Sequence, residues 1–160
     1  IKNKYKKILA ISGPEEYIVS QDRTIGYKKA MEEYKNQENS SILICDDFTY
    51  QDGYNNTINF LKKNRNLCEA IFAFDDMIAL GALRAAQSLN IRVPEEIAIL
   101  GFNDDPIASY MKPALSTVKI PIVKMGEEAA RMLIKILNDE NYKGEELILN
   151  TELVLRESLA

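Results

Sequence analysis

Hydrophobic residues in this sequence occur as short continuous runs that alternate with longer segments in which every third or fourth position is apolar. The short runs are typical of strands buried on both faces, and the longer segments are typical of amphipathic helices. In the first helix the apolar stripe consists of Ile25, Ala30, Met31 and Tyr34. The predicted strands are residues 7–12, 41–45, 70–74 and 96–102, and the predicted helices between them are residues 21–37, 52–63 and 76–89.

This alternation predicts an α/β fold of the doubly wound type, in which right-handed crossovers place helices on both faces of a parallel sheet. After Pro113 the order of elements changes, so the last part of the chain is not another repeat of the same unit. It predicts an extended run over 115–120, a helix over 123–137, a polar loop over 138–145 and two strand-like pieces, 147–150 and 153–156.

Composition limits the classes of function. The chain has 160 residues, of which 46% are hydrophobic and 28% charged, and this suits one globular unit. Its longest apolar runs are far shorter than the roughly 20 residues of a membrane helix. The net charge of −4 argues against a nucleic-acid surface on this chain. Without histidine, Ser-His-Asp hydrolases and most zinc hydrolases are disfavoured, so we expect no enzyme, no metal and no cofactor.

Two further features bear on the cellular setting. The basic N-terminus is not followed by the apolar core of a signal peptide, and the absence of an initial Met indicates a piece of a longer protein. Cys45 and Cys68 lie far apart without other metal-ligating residues, so they are interpreted as reduced thiols in the core. We therefore expect a cytoplasmic protein.

Polar residues follow the predicted strands. Ligands of open parallel sheets bind beyond the carboxyl ends of the strands. There the sequence has Asp46-Asp47, Asp75-Asp76 and Asn103-Asp104-Asp105. Carboxylates and amides accept hydrogen bonds from sugar hydroxyls, a guanidinium donates to them, and an aromatic ring covers the apolar face of a sugar. The further candidates at this edge are Tyr17, Arg23, Phe48 and Tyr50.

Two other interpretations of these acids stay open. Asp and Asn often cap the following helix, at about 1 kcal/mol, and for any single Asp this role is favoured. In an acidic pair, one residue can cap while its neighbour faces the crevice. The acids can also be read as a magnesium site for phosphoryl transfer. That reaction needs a nucleophilic Asp after a strand, whereas the first strand is followed by Ser12-Gly13-Pro14.

Several segments resemble the lactose/galactose-repressor family of bacterial transcriptional regulators, whose effector-binding cores are similar to periplasmic sugar-binding proteins. They follow the family's order along nearly the whole chain. The segments are Arg23-Thr-Ile-Gly-Tyr27, 74–83 (Phe-Asp-Asp-Met-Ile-Ala-Leu-Gly-Ala-Leu), 91–104 (Ile-Arg-Val-Pro-Glu-Glu-Ile-Ala-Ile-Leu-Gly-Phe-Asn-Asp), 113–118 (Pro-Ala-Leu-Ser-Thr-Val) and 152–158 (Glu-Leu-Val-Leu-Arg-Glu-Ser).

The resemblance implies an effector-binding set. Arg23 matches an arginine that binds effector hydroxyls or carboxylates, and Asp75 matches an Asn or Asp with the same task. Asn103 stands where the family often has Asp, and it brings an uncharged amide instead. Phe48 lies where the family often places an aromatic ring against the ligand. Tyr17 is a weaker candidate from the loop before Arg23.

The resemblance also implies a division of the chain into lobes. Residues 1–116 and about 147–160 would form most of the C-terminal lobe, and residues 117–146 would cross to the N-terminal lobe and add a helix there. The rest of that lobe and a helix-turn-helix domain would lie outside this sequence. Family members form homodimers through these cores. The residues expected at the interface are Met77, Ile78, Tyr110 and Met111.

The resulting hypothesis is a ligand-sensing domain. A sugar or sugar derivative would bind between the lobes and control operator DNA binding by the dimer, through a DNA-binding domain outside this chain. No membrane partner is expected. The alternative from another class is the sugar receptor of a transport system. Upstream sequence separates the two, because a receptor carries a signal peptide or lipid anchor and a regulator carries a helix-turn-helix.

Overall fold

The computed structural model describes residues 5–35, 40–139 and 142–159. Its helices are α1 (Ile18–Glu33), α2 (Tyr50–Asn64), α3 (Asp76–Ser88), α4 (Ile107–Tyr110) and α5 (Ile122–Asn138). Its strands are β1 (Ile8–Ser12), β2 (Ser40–Ile44), β3 (Ala70–Ala73), β4 (Ala98–Asn103), β5 (Ser116–Lys119) and β6 (Glu152–Val154). A 3₁₀ turn at Arg65–Leu67 follows α2.

The strands form a sheet of order β2-β1-β3-β4-β5-β6. The first five are parallel, and β6 runs antiparallel to β5. The chain starts at β1, adds β2 on one side and then crosses to β3 on the other side, so the direction of winding reverses beside β1. This confirms the predicted doubly wound α/β fold. The reversal opens a crevice at the carboxyl ends of β1 and β3, which is where such sheets bind ligands.

The two faces of the sheet are covered by different helices. Leu9 and Ile11 of β1 belong to the large core that includes Leu61 of α2 and Ile78 of α3. Ala10, between them, packs in a second cluster with Tyr27 and Met31 of α1 and with Phe74. Because neighbouring side chains of a strand point to opposite faces, α2 and α3 cover one face and α1 the other.

Helices α2 and α3 cross with their backbones in direct contact. A Cβ atom at Gly53 would lie 2.5 Å from the carbonyl oxygen of Ile78, and one at Gly81 would collide with the Tyr50 carbonyl and the Tyr54 amide. Only glycine fits at either position, so the two helices pack closer than side chains normally allow.

The predicted apolar stripe of α1 is partly wrong. Ile25 and Tyr34 are 50% and 44% exposed, whereas Ser20, Tyr27 and Met31 form the buried side. Tyr27 was missed because it looks amphipathic in sequence, but its hydroxyl donates to the Ile8 carbonyl across 2.7 Å and can therefore be buried. The helix also begins at Ile18, earlier than expected, and its expected end at Gln37 lies outside the described residues.

The segment after β5 contains a long helix with few contacts to the sheet. No residue of α5 is buried in the described structure. The predicted strand over 147–150 is wrong, since these residues have no ladder partner and two of their leucines lie against α5 instead. A cavity of about 240 Å³ between them is lined by Met125, Glu128, Ala129, Met132, Leu147 and Leu149. The second predicted piece is confirmed in part as β6.

The large apolar side chains of α5 outside this cavity are left uncovered by the described residues. At least 46% of each is exposed, from Ile122 at its start to Leu137 near its end. Among the described residues, no helix is both long enough and apolar enough to cross a membrane.

Candidate functional site

Arg23 reaches from the second turn of α1 across the carboxyl ends of β3 and β4. Its Nη1 donates to the carbonyl oxygen of Phe74, and its Nη2 lies 3.4 Å from Oδ1 of Asn103. The guanidinium stacks on the ring of Phe102, 3.9 Å from the centroid. Burial lowers the pKa of Arg23, and the carboxylate of Asp75 opposes this shift. Arginine stays protonated in proteins, so the site holds a fixed cation.

Asp75 uses its two carboxylate oxygens for different tasks. Oδ1 accepts a hydrogen bond from the Met77 amide across 2.7 Å and so caps α3, while Oδ2 accepts from Nδ2 of Asn103 across 2.8 Å. The capping role and the crevice role are therefore compatible in one residue. Burial raises the pKa of Asp75, against the hydrogen bonds from the backbone of α3.

Asn103 bridges the cation and the carboxylate. It ends β4 with a φ of 119°, and Asp104 follows with a φ of 63°, so the chain leaves the strand through two residues in a conformation that L-residues rarely adopt. The amide accepts from Arg23 and donates to Asp75, whereas a carboxylate at this position could accept from Arg23 but has no hydrogen to donate to Asp75. The result is a guanidinium, an amide and a carboxylate in one hydrogen-bonded array.

Asp76 supports this array from inside the protein. It is fully buried, and its oxygens accept from the Thr117 hydroxyl across 2.7 Å and from the Asp105 amide across 2.8 Å. A Cβ at Gly101 would collide with the same carboxylate. Burial raises the pKa of Asp76. Asp75 therefore combines the two roles considered for an acidic pair, since it caps α3 and accepts from Asn103, while Asp76 holds the loop after β4.

The two aromatic candidates contact each other. The rings of Tyr17 and Phe48 are 5.7 Å apart and nearly perpendicular, and the Phe48 ring lies directly over Gly13, where a Cβ would collide with it. Asp47 accepts from the Phe48 amide across 2.7 Å. The aromatic pair thus flanks the end of β1 without a hydrogen bond to the Arg23 array in the described residues.

The other residues named at this edge have separate environments. Asp46 and Asp47 are exposed, and α2 is capped by Thr49 rather than by either acid. Tyr50 stacks on Tyr54 with 6.4 Å between ring centroids, along α2. Within residues 5–35, 40–139 and 142–159, no three His, Cys, Asp or Glu side chains come together as a metal site.

Two of the four residues expected at a dimer interface do not lie on the surface. Ile78 is 0% exposed and Met111 5%, and both belong to the large core, so this expectation is wrong. Most of the surface of α3 is buried, so the exposed surface at Met77 does not extend to Ile78. Met77 and Tyr110 are exposed, at 37% and 80%.

The cysteines are free and buried, as expected. Burial raises the pKa of the Cys45 thiol to about 11 and that of Cys68 to about 12.

The site also contains residues that sequence reasoning missed. Phe102 carries the Arg23 guanidinium, and its position was available from strand alternation, since Leu100 and Phe102 lie on the face toward α1. Thr117 of β5 accepts from the Asp104 amide and donates to Asp76, and Arg156 reaches Asp104 from beyond β6. No local pattern pointed to them, because Asp76 is 41 residues from Thr117 and Asp104 is 52 residues from Arg156 in sequence.

Comparison with known proteins gives a consistent result. A family model described as a periplasmic binding protein-like domain matches residues 1–159. The transcriptional regulator RegA of Clostridium saccharobutylicum is 38% identical over 137 residues, which are 86% of this chain and 41% of RegA. This chain therefore spans less than half the length of that curated relative.

Solved structures show the same relationship. The CelR–cellobiose complex has a TM-score of 0.87 at 30% identity, covering 98% of this chain and 48% of that one. The lac repressor dimer bound to operator and the anti-inducer ONPF has a TM-score of 0.87 at 25% identity, covering 97% of this chain and 53% of that one.

Proposed function

The chain belongs to the periplasmic binding protein-like domain family, among its lactose/galactose-repressor relatives, and from this we propose that it senses a sugar-like effector for a bacterial transcriptional regulator. A binding role, rather than a catalytic one, fits the regulators that it resembles. A cytoplasmic setting fits both this role and the free thiols.

The observation that carries the proposal is the array of Arg23, Asn103 and Asp75. Its hydrogen bonds of 3.4 and 2.8 Å hold a donor, an amide and an acceptor in fixed order at the crevice. Neighbouring sugar hydroxyls both donate and accept, so they can pair with a carboxylate on one side and a guanidinium on the other. The rings of Phe48 and Tyr17 supply an apolar wall for the flat face of a sugar.

We assign residues 1–116 and about 147–160 to the C-terminal lobe and residues 117–146 to the crossover and the other lobe. The support is the apolar surface of α5, which stays exposed among residues 5–35, 40–139 and 142–159. Leu147 and Leu149 still pack toward α5, so the return to the C-terminal lobe, which starts at about residue 147, is complete only after Leu149.

The proposed mechanism is closure of the two lobes around the effector. A ligand shifts such an equilibrium only by binding the closed state better, and a change from 1:99 to 99:1 needs about 5.5 kcal/mol. Hydrogen bonds to Arg23, Asp75 and Asn103 that form fully only in the closed state would supply part of it. The homodimer would then pass the change to operator DNA through a domain outside this chain, with Met77 and Tyr110 at the dimer surface.

The test is calorimetry of the full-length protein with cellobiose, lactose, ribose and sugar phosphates. Arg23→Ala and Asp75→Ala should each weaken the binding of a sugar at least tenfold, because a hydrogen bond to a charged group contributes about 1.5 to 3 kcal/mol. Lys28→Ala is the matched control, since it removes an exposed cation from the same helix. A sugar that binds equally well to the parent and to both site variants would refute the assignment.

A further inference from the structure

The final segment of the chain is fastened to the end of β4 by an ion pair. Nη2 of Arg156 lies 2.6 Å from Oδ1 of Asp104, and the two side chains are only 21% and 12% exposed. Nη1 of Arg156 donates to the Leu115 carbonyl across 2.8 Å, just before β5. Lys119, at the end of β5, lies 3.7 Å from the other Asp104 oxygen. A largely buried carboxylate thus has cationic partners on both sides.

Asn103 and Asp104 leave β4 in an unfavourable backbone conformation. Both residues have positive φ, and such backbone persists only where surrounding contacts enforce it. The Asp104 amide donates to the Thr117 hydroxyl across 3.3 Å, which in turn donates to the buried Asp76 carboxylate. The direction of the Asn103 amide therefore depends on how firmly Asp104 is held.

The partners of Asp104 sit on the two connections to α5. Lys119 is the last residue of β5, three positions before α5 begins, and Arg156 follows β6, on the return path. If α5 lies in the other lobe, as proposed above, a movement between the lobes acts on these connections. Through Arg156 and Lys119, both connections are therefore tied to Asp104, the residue that follows Asn103.

We propose that Asp104 is a positioning residue, held by Arg156, that sets the direction of the Asn103 side chain and couples the lobe connections to the effector site. The coupling to lobe movement rests on the proposed function. The effect on Asn103 does not, so the two can be tested separately.

An ion pair with a purely structural role would change only the stability of the protein. The test therefore measures the hydrogen bond between Asn103 and Asp75. Nδ2 of Asn103 donates to the Asp75 carboxylate and favours its charged form, so loss of this bond raises the pKa of Asp75. The charged groups around this carboxyl are Arg23, Asp76 and Asp105. Carbon-13 NMR of the carboxyl follows its titration, and the side-chain amide signal of Asn103 reports its hydrogen bonding directly.

We expect Asp104→Asn and Arg156→Gln each to shift the Asn103 amide signal and to raise the pKa of Asp75, and the double variant to do no more than either. Asn tolerates positive φ, so Asp104→Asn removes the charge while keeping the backbone. The control is Glu157→Gln, which weakens the neighbouring anchor from Glu157 Oε2 to the Ala114 amide, 2.7 Å long, without touching Asp104.

Folded variants in which both signals match the parent would overturn the proposal, and so would an equal shift in Glu157→Gln. Should Asp104→Asn fail to fold, Arg156→Gln decides alone. Sugar titration of the same variants in the full-length protein adds the link to function, with about tenfold weaker binding expected. NMR shifts without any sugar binding would support the positioning role and count against the proposed function. Unchanged NMR signals together with sugar binding would overturn the positioning role and support the proposed function.

Discussion

Nδ2 of Asn103 donates to Oδ2 of Asp75 across 2.8 Å, so an amide and a carboxylate from neighbouring strand ends share one hydrogen bond. The resemblance to the lactose/galactose-repressor family implies Asp at position 103, and Asn103 departs from that expectation. The contact explains it, because Asp75 already provides the carboxylate. A second acid at position 103 would bring two negative charges together.

Asn103→Asp should therefore raise the pKa of the paired carboxyls and lower stability near neutral pH by about 1 kcal/mol, partly offset by Arg23. A folded-state pKa above the unfolded one means that the folded protein binds more protons, so stability rises as pH falls from neutral and is lost as pH increases. Burial raises the pKa values of Asp75 and Asp76 in the parent, which has a slope of the same sign. Urea unfolding from pH 4 to 8 should show a steeper slope in the variant. An equal slope in the two proteins would contradict the contact.

Gly81→Ala should destabilise the chain by about 1 to 3 kcal/mol, because the new methyl group collides with the backbone of α2 and the two packed helices must separate. Gly26→Ala is the matched control: it is also helical, and nothing lies within 4 Å of its Cβ position. That variant should gain about 0.5 to 1 kcal/mol from helix propensity. Denaturant unfolding measures both. Equal effects of the two substitutions would rule out the close crossing of α2 and α3.

Substitutions of the neighbouring residues Tyr110 and Met111 should have different effects on the free energy of unfolding. Met111→Ala should cost about 2 to 5 kcal/mol because it opens a cavity in the core, while Tyr110→Asp should leave the unfolding free energy nearly unchanged. If Tyr110 lies at the proposed dimer surface, Tyr110→Asp should also weaken self-association of the full-length protein in sedimentation experiments. A dimer of unchanged affinity would remove Tyr110 from the interface.

Neither cysteine should react quickly with a thiol reagent at pH 8 while the protein is folded. Cys45 and Cys68 are buried, and burial raises their pKa values to about 11 and about 12, so the thiolate is scarce as well as inaccessible. Denatured protein should react at the rate of a free thiol peptide, with two thiols per chain. Fast labelling of the native protein at either position would show that its core opens locally.

Strand positions were predictable because a buried strand is a continuous apolar run, as at Ala70–Ala73. The helix faces were harder. Tyr27 is buried through a hydrogen bond that no periodicity reveals, and Ile78 is buried because α3 is covered on most of its surface. Leu147 and Leu149 look like part of a strand in sequence, but they pack against α5. In each case a contact made over a long sequence distance decided the outcome.

The candidate site was predictable to the level of strand ends. Arg23, Asp75 and Asn103 were named from sequence and share one array, although their binding of an effector stays a prediction. The two tasks of Asp75 and the inward turn of Asp76 were not foreseeable, because both carboxylates follow the same strand and differ only in direction. The ion pair between Arg156 and Asp104 was not predictable, because it depends on where the final strand lies in the sheet.

The glycine crossing of α2 and α3 has a mechanical consequence. Backbones in direct contact leave no flexible side chains between them to absorb a displacement. Helix α3 starts at the capping carboxylate of Asp75, so a tilt of α3 imposed at that point would move α2 with it as one rigid layer. A change at the crevice would then reach the outer surface of α2 and α3 as a rotation of both helices, without side chains repacking one after another in between.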